Sequence, residues 1–300
     1  MEFRQLQYAI QIAAERNFSR AAEKLHIAQP SLSQQLSKLE KELGVLLFKR
    51  STGSVELTYA GSVFVEKAQR VLDMAEQLRR EMEDIAEMRR GRLTVGSLPM
   101  TGAHLLPHVL PVYRAAYPDI EIVLVEETTR KLEQLTATGA TDVSLLSLPL
   151  VEPALDFVPV LVEEILLAVP PDHPLAGQAE AVPIARLKDE PFVLLKKGQG
   201  FRAIAHSLCD AAGFSPRVVF ESGNIETVQS LVAAGMGIAF VPRMVARPAP
   251  SRPSPVYLPL AEKPTRTLVI AYRRGRYLSN AAEAFIATFG RLAPQLEQRS

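Results

Sequence analysis

The stretch that most constrains the fold runs from Phe18 to Thr58 and begins FSRAAEKLHIAQPSLSQQLSKLEKELG. It reads as two short helices at a tight turn followed by a hairpin, the outline of a winged helix-turn-helix. In the second helix, Pro30 suits the first helical position. Leu32, Leu36, Leu39 and Leu43 then recur at spacings of four, three and four, committing one face to a core. The opposite face carries Pro30, Gln34, Ser37 and Lys41, flanked by Ser31, Ser33 and Lys38. A helix laid in a major groove needs small groups near its N-terminus, an amide to read a base edge and cations for phosphates. This face offers all three.

The helix before it spans Ser19 to Leu25, with Ser19 as its expected N-cap and Ala21 and Ala22 keeping one side thin enough for a close crossing. His26, Ile27 and Ala28 form the turn, and Gly44 ends the recognition helix in a left-handed conformation. Two short apolar runs, Leu47 to Arg50 and Val55 to Thr58, flank a polar turn containing Gly53 and predict a hairpin wing. Candidate nucleic-acid contacts are Ser19, Arg20, Gln29, Pro30, Ser31, Ser33, Gln34 and Lys38 on the helices, with Lys49, Arg50 and Thr52 on the wing.

Residues 1–65 resemble the DNA-binding domain of LysR-type transcriptional regulators. The resemblance rests on the opening MEFRQL, then FSRAAEKLHIAQPSLSQQLSKLEKELG, then LFKR, then LTYAG. Ser54-Val55-Glu56 departs from the pattern, because the family often has another basic residue there. The rest of the chain has the length and segment order of that family's ligand-binding part, so the resemblance covers essentially all 300 residues.

The net charge of +1 confines any positive surface to the first domain. Cys209, the single cysteine, rules out an internal disulfide and fits a reducing compartment; a small buried hydrophobe is the expected role. The N-terminus has no basic, then apolar, then small-residue cleavage pattern, and no segment stays apolar long enough to span a bilayer. A cytoplasmic protein without membrane contact is expected.

Residues Phe3 to Ala14 predict a first helix with Phe3, Leu6, Ile10 and Ala13 or Ala14 on its buried side. After Thr58, Phe64, Ala68, Val71, Ala75, Leu78, Met82 and Ile85 alternate steps of four and three, a coiled-coil seam for which a monomer has no obvious use. A helix from about Tyr59 to Met88, ending at Arg89-Arg90-Gly91, would be ~45 Å long. It packs on its own chain or, as the resemblance implies, pairs antiparallel with a second copy through Phe64, Val71, Leu78, Met82 and Ile85.

From Arg92 onward strands and helices alternate, predicting a largely parallel sheet with helices on its faces. Strands are expected at Leu93 to Ser97, Ile120 to Glu126, Val143 to Ser147 and Phe157 to Val160, with helices at Ala103 to Tyr117, interrupted by Pro107 and Pro111, and at Thr129 to Ala137. Glu163 to Pro170 opens a second unit of the same kind, Arg247 to Pro255 is a proline-rich loop, and Thr267 to Tyr272 and Ser279 to Leu292 supply a last strand and helix. The resulting fold class is α/β with an N-terminal all-α winged helix-turn-helix. The domains are 1–58 for DNA binding, 59–90 for the linker helix and 91–300 for effector binding. The resemblance implies a bilobal, periplasmic-binding-protein-like effector domain, with lobe I at about 91–161 and 266–300 and lobe II at about 162–265.

Ligands of open α/β sheets sit beyond the carboxyl ends of strands, where helix starts present free N–H groups. Pro99, Met100 and Thr101, then Thr128 and Thr129, then Gly200, Phe201 and Arg202 meet that description, with Leu148 at the lobe crossover. Hydroxyls, glycine backbone and fixed cations favour an anion. Thr101, Thr129 and Arg202 read equally well as helix caps and a solvated charge; their joint placement at strand ends favours a ligand. An enzyme is the competing class, but the histidines are scattered. His104 and His108, four apart on one helix, lack an acidic or sulfur partner at metal-ligand spacing. A bare solute receptor would not need the DNA-binding segment. The expected partners are double-stranded operator DNA, further copies of the chain as a homodimer or homotetramer, a small anionic effector and RNA polymerase, with no cofactor and no metal.

Overall fold

The computed structural model describes residues 1–51, 54–85, 91–178, 180–247 and 254–299, with backbone only at 50, 51, 54, 80, 83–85 and 297–299. Thr52, the segment 86–90 at the expected helix end and the loop 248–253 lie outside the described residues, as do the side chains of Arg50 and Ile85. The chain divides into two compact units, Met1–Ala86 and Glu87–Ser300.

The first unit holds α1 (Phe3–Glu15), α2 (Phe18–Lys24), α3 (Gln29–Leu43), a hairpin of β1 (Phe48–Ser51) and β2 (Ser54–Leu57), and α4 (Tyr59–Ile85). In α1 the buried stripe is Leu6, Ala9 and Ile12, while Phe3 in the first turn is exposed and Ile10 only half-buried. The expected stripe was therefore rotated by about one position, an ambiguity of 100° that apolar spacing alone leaves open. Asn17, not Ser19, caps α2: its side chain accepts the Arg20 N–H at 3.1 Å. In α3, Ala28 is the N-cap and Pro30 the second helical residue, where its missing N–H still costs nothing.

Leu32, Leu36 and Leu39 are buried against Ala9, Ile12, Ala21 and Ala22, each leucine contributing about 1.5–3 kcal/mol. Leu43 is instead exposed, and the buried residue of the last turns is Glu40, whose carboxylate accepts the N–H groups of Leu47 at 2.8 Å and Phe48 at 3.2 Å. Glu40 thus ties the recognition helix to the start of the wing. Gly44 closes α3 with φ +71°, a conformation costly for any residue with a Cβ. The hairpin is antiparallel, with Phe48 opposite Leu57, and Phe48 packs edge-on against Phe18. Thr58 starts α4: its hydroxyl accepts the Gly61 N–H at 2.9 Å and donates to the Leu46 carbonyl at 2.7 Å. A Cβ at Gly61 would overlap the Leu47 carbonyl oxygen, so only glycine lets α4 approach the wing this closely.

The second unit holds β3 (Gly91–Ser97), α5 (Pro99–Ala116), β4 (Ile120–Glu126), α6 (Thr129–Thr138), β5 (Val143–Ser147), β6 (Leu155–Val169), β7 (Pro191–Leu195), α7 (Gly200–Ala211), β8 (Arg217–Ser222), α8 (Ile225–Ala233), β9 (Ala239–Pro242), β10 (Val256–Leu258), β11 (Thr265–Arg273) and α9 (Asn280–Arg299). The sheet is mixed, not largely parallel. β3 pairs parallel with β4 and β5, but β11 runs antiparallel to both β5 and β6, while β7 and β8 form a separate parallel pair. The reason is β6, a single strand where two were expected. Its first ten residues pair with β11 and its last five with β9 and β10, so it passes from one lobe into the other.

Helix α5 begins at Pro99 and is not interrupted. Pro107 and Pro111 lie four apart on its exposed side, where the carbonyls they leave unbonded face water, while Leu105, Val109 and Tyr113 keep the buried face continuous. The Tyr113 hydroxyl donates to the Ala281 carbonyl at 2.9 Å and locks α5 to α9.

Candidate functional site

In the first unit, the outer face of α3 presents Gln29, Pro30, Ser31, Gln34 and Lys38 to solvent, with Ser33 half-buried. Ser19 and Arg20 are exposed on α2, and Lys49 is exposed on β1. The structure therefore brings small groups, an amide and a cation together on one helix face beside a short hairpin. The neighbouring Gln35 is not part of that face: its side-chain oxygen accepts from Gln5 at 3.4 Å.

The apolar positions of α4 divide. Phe64 packs into the core of its own unit and Ala68 is buried, whereas Val71 is 45%, Leu78 58% and Met82 50% exposed. Met74, outside the heptad expectation, is 71% exposed beside them. Two of the seam positions are thus consumed internally, and Val71, Met74, Leu78 and Met82 form an uncovered apolar stripe of a kind that monomers avoid.

In the second unit, a cavity of about 520 Å³ lies where the carboxyl ends of strands from both lobes meet. The start of α5 lines it with Pro99, Met100 and His104, and β4, β5 and β11 add Glu126, Ser147 and Arg266. From the other lobe come Gln199, Gly200 and Phe201 at the start of α7, and Asn224, Ile225 and Glu226 at the start of α8. Three helix N-termini, each carrying the positive end of a helix dipole, converge on one space.

The one lining cation among the described residues is committed. Arg266 Nε donates to Glu163 at 2.6 Å in an ion pair whose side chains are 1% and 0% exposed, and the guanidinium lies 5.3 Å from the Phe201 ring centre. Burial pulls the Arg266 pKa below its ordinary value, and the Glu163 charge opposes that pull. The second oxygen of Glu163 accepts the Met244 N–H at 3.1 Å, so both carboxylate oxygens are engaged. His104 Nδ1 donates to the Met100 carbonyl at 2.9 Å.

Of the residues expected at a ligand, Pro99, Met100, Gly200 and Phe201 line this cavity. Thr101 is fully buried three residues into α5, with a hydroxyl that finds no partner among the described residues. Thr128 is exposed at the cap position of α6 and makes no capping bond; the Thr129 hydroxyl accepts the Gly200 N–H at 3.0 Å, joining the two lobes. Leu148 packs in a small apolar cluster with Leu98, Leu132 and Leu146. Arg202 is not left free for an anion, since it donates to the Leu195 carbonyl at 3.0 Å and pairs with Glu221. Sequence reasoning missed Arg266, Glu163, Glu126 and the α8 start. An arginine at the head of the strand whose apolar run is Leu268 to Tyr272 was the available signal for the first. Asn224, which accepts the Glu226 N–H at 2.8 Å after β8, repeats the strand-then-cap pattern already used for α5 and α7.

A winged helix-turn-helix on one unit and a ligand-sized cavity between two α/β lobes on the other define a DNA-binding transcriptional regulator with an effector-binding domain. The family models agree: that of the lysR-family bacterial regulatory helix-turn-helix proteins matches residues 3–62, and that of the LysR substrate binding domain matches 86–293. The chain belongs to the LysR family of transcriptional regulators. It is 42% identical to the uncharacterized HTH-type transcriptional regulator YcgK of Bacillus subtilis, over 95% of this chain and 93% of that protein. It is 36% identical to the DNA-binding transcriptional dual regulator OxyR of Escherichia coli, over 94% and 93%. A full-length OxyR from Pseudomonas aeruginosa, bearing a cysteine-to-aspartate substitution, superposes with a TM-score of 0.77 at 31% identity, over 100% of this chain and 97% of that one.

Proposed function

We propose that this chain works in the cytoplasm as a homodimer or homotetramer joined through α4, placing α3 in the major groove of each operator half-site with the wing at the phosphates. A small carboxylate-bearing effector in the cavity shifts the assembly between states of different DNA affinity, and so its contact with RNA polymerase. The observation that carries the reading is the meeting of three helix starts, from two lobes, around one ligand-sized space.

Several relatives are named hydrogen peroxide-inducible genes activators, which raises peroxide sensing as a second reading. A thiol sensor needs an accessible thiolate. Here the single cysteine, Cys209, is fully buried, and burial, with Asp210 behind it, pushes its thiol to about 12. One cysteine cannot close a disulfide within the chain, so ligand binding is the reading favoured.

The test is a mobility shift of the full chain on the DNA upstream of its own gene. Gln34→Ala is expected to cost about 1–3 kcal/mol on specific DNA and little on random DNA, whereas Lys49→Ala weakens both and lowers the salt slope by about one. Equal losses for Gln34→Ala on both DNAs would remove it from base reading, and no shift at all would sink the proposal.

A further inference from the structure

The charges lining the cavity do not balance. Arg266 is already neutralised by Glu163. Glu126, at the carboxyl end of β4, and Glu226, in the first turn of α8, line the same space from opposite lobes, and both are exposed. Among the described residues neither carboxylate has a cationic partner; the Glu226 carboxylate accepts only a long bond, 3.5 Å, from Gln229. A plain anion drawn to the helix starts would therefore share the cavity with two negative groups. Like charges inside one cavity oppose binding, the more so once water is displaced.

A ligand that also carries a cation removes the conflict. His104 adds a third group of the right kind. Its Nδ1–H is engaged by the Met100 carbonyl, so the neutral ring offers an acceptor at Nε2. An ammonium has three donors, and the cavity wall supplies Glu126, Glu226 and His104.

We infer that the ligand of this cavity is a small zwitterion of the amino-acid kind, its carboxylate at the helix starts and its ammonium between Glu126 and Glu226. The inference rests on the effector reading above and narrows it. It also gives the ligand leverage over the lobes. Two carboxylates of the same sign on opposite walls resist closure, and a cation between them turns that resistance into attraction.

Isothermal titration calorimetry on the full chain tests this with three fixed sets: the twenty standard L-amino acids, their 2-hydroxy acids, in which a hydroxyl replaces the ammonium, and the amines left by removing the carboxylate. At least one amino acid is expected to bind, with its 2-hydroxy acid and its amine each weaker by roughly tenfold or more, the loss of a charge-assisted contact. Combining Glu126→Gln with Glu226→Gln, both at exposed positions, is expected to weaken the amino acid by a similar factor while leaving the 2-hydroxy acid as it was or tighter. A 2-hydroxy acid that binds as well as its amino acid overturns the zwitterion and leaves a plain anionic effector standing. An amine that binds as well overturns it in favour of a cation. Silence from all three sets overturns the inference and the carboxylate reading together.

Discussion

Removing the Glu163 charge gives the sharpest test of how the second unit is held together. Glu163→Gln keeps the side chain's size and an acceptor for the Met244 N–H, but leaves Arg266 charged in a site where both partners are 1% exposed or less. Breaking a buried pair in this way costs about 3–5 kcal/mol, because the remaining charge has neither water nor a counter-ion. The Phe201 ring face, 5.3 Å from the guanidinium, is there in parent and variant alike and does not replace the lost counter-ion. In a unit of this size the net loss corresponds to a melting-point drop on the order of 10 °C. Differential scanning calorimetry of the full chain reads the drop, and hydrogen exchange of the β6 and β11 amides assigns it to the second unit. Combining Glu163→Leu with Arg266→Met removes both charges and is expected to recover part of the loss. About 1–3 kcal/mol remains missing for the Met244 N–H left without its acceptor. A Glu163→Gln variant within about 2 °C of the parent would show that water reaches Arg266, and the account of a dry, committed ion pair would be wrong.

Three further outcomes are expected. Leu78→Glu puts a charge on a residue that is 58% exposed in the lone chain, so the fold should survive while dimerisation and DNA binding fail together; a stable dimer in analytical ultracentrifugation would refute the seam. Cys209, with its thiol raised to about 12, is expected to resist maleimide and hydrogen peroxide at neutral pH until the chain is unfolded, and Cys209→Ala to keep effector response and DNA binding; rapid native labelling would reopen thiol sensing. Burial raises the Glu133 carboxyl above its ordinary 4.5, against the N–H groups of Val151 and Glu152 that it accepts. The folded state therefore holds that proton more tightly than the unfolded one. The stabilisation is fully present below the unfolded value and lost as pH rises through the raised folded value. Relative to Glu133→Gln, the parent chain should lose stability on rising from about pH 4.5, and parallel curves would contradict this.

What could be read from the sequence was whatever repeats with a local period. The spacing of Leu32, Leu36 and Leu39, the glycine at 44, and the alternation from Arg92 onward each record a rule that acts within a few residues, and the elements appear where those rules put them. The misses share a different cause. Glu40, Glu163 and Arg266 are charged residues inside buried surfaces, and they are tolerated there only because of partners 7, 81 and 103 positions away. No local pattern announces such a partner. Leu43 and Phe64 were legible as apolar but not as to where they face, since solvent, their own core and a second copy all accept the same heptad position. The ligand site fell between these cases. Helix starts at strand ends were readable, but Thr101 and Arg202 satisfy the same pattern as Met100 and Phe201, and only the packing decides which of them face the cavity.

The position of the Glu163–Arg266 pair bears on how a ligand could act under the proposed function. The two residues are register partners on β6 and β11, at the point where β6 leaves its pairing with β11 and enters the sheet of the other lobe. A lobe movement that opened this pair would meet the 3–5 kcal/mol penalty of a stranded buried charge, more than most effectors can supply through differential binding. Movement about an intact pair is therefore the inexpensive route. Groups that differ between states then lie away from the pivot, where Glu126 and Glu226 occupy opposite walls and the Thr129 hydroxyl accepts the Gly200 N–H across the lobes. Driving a two-state equilibrium from one part in a hundred to ninety-nine requires about 5.5 kcal/mol of differential affinity. A single charge-assisted contact gives roughly 1.5–3 kcal/mol, so one such contact cannot throw the switch, whereas two or three made only in the closed state can. An ammonium between Glu126 and Glu226, added to a carboxylate at the helix starts, reaches that number without disturbing the pivot.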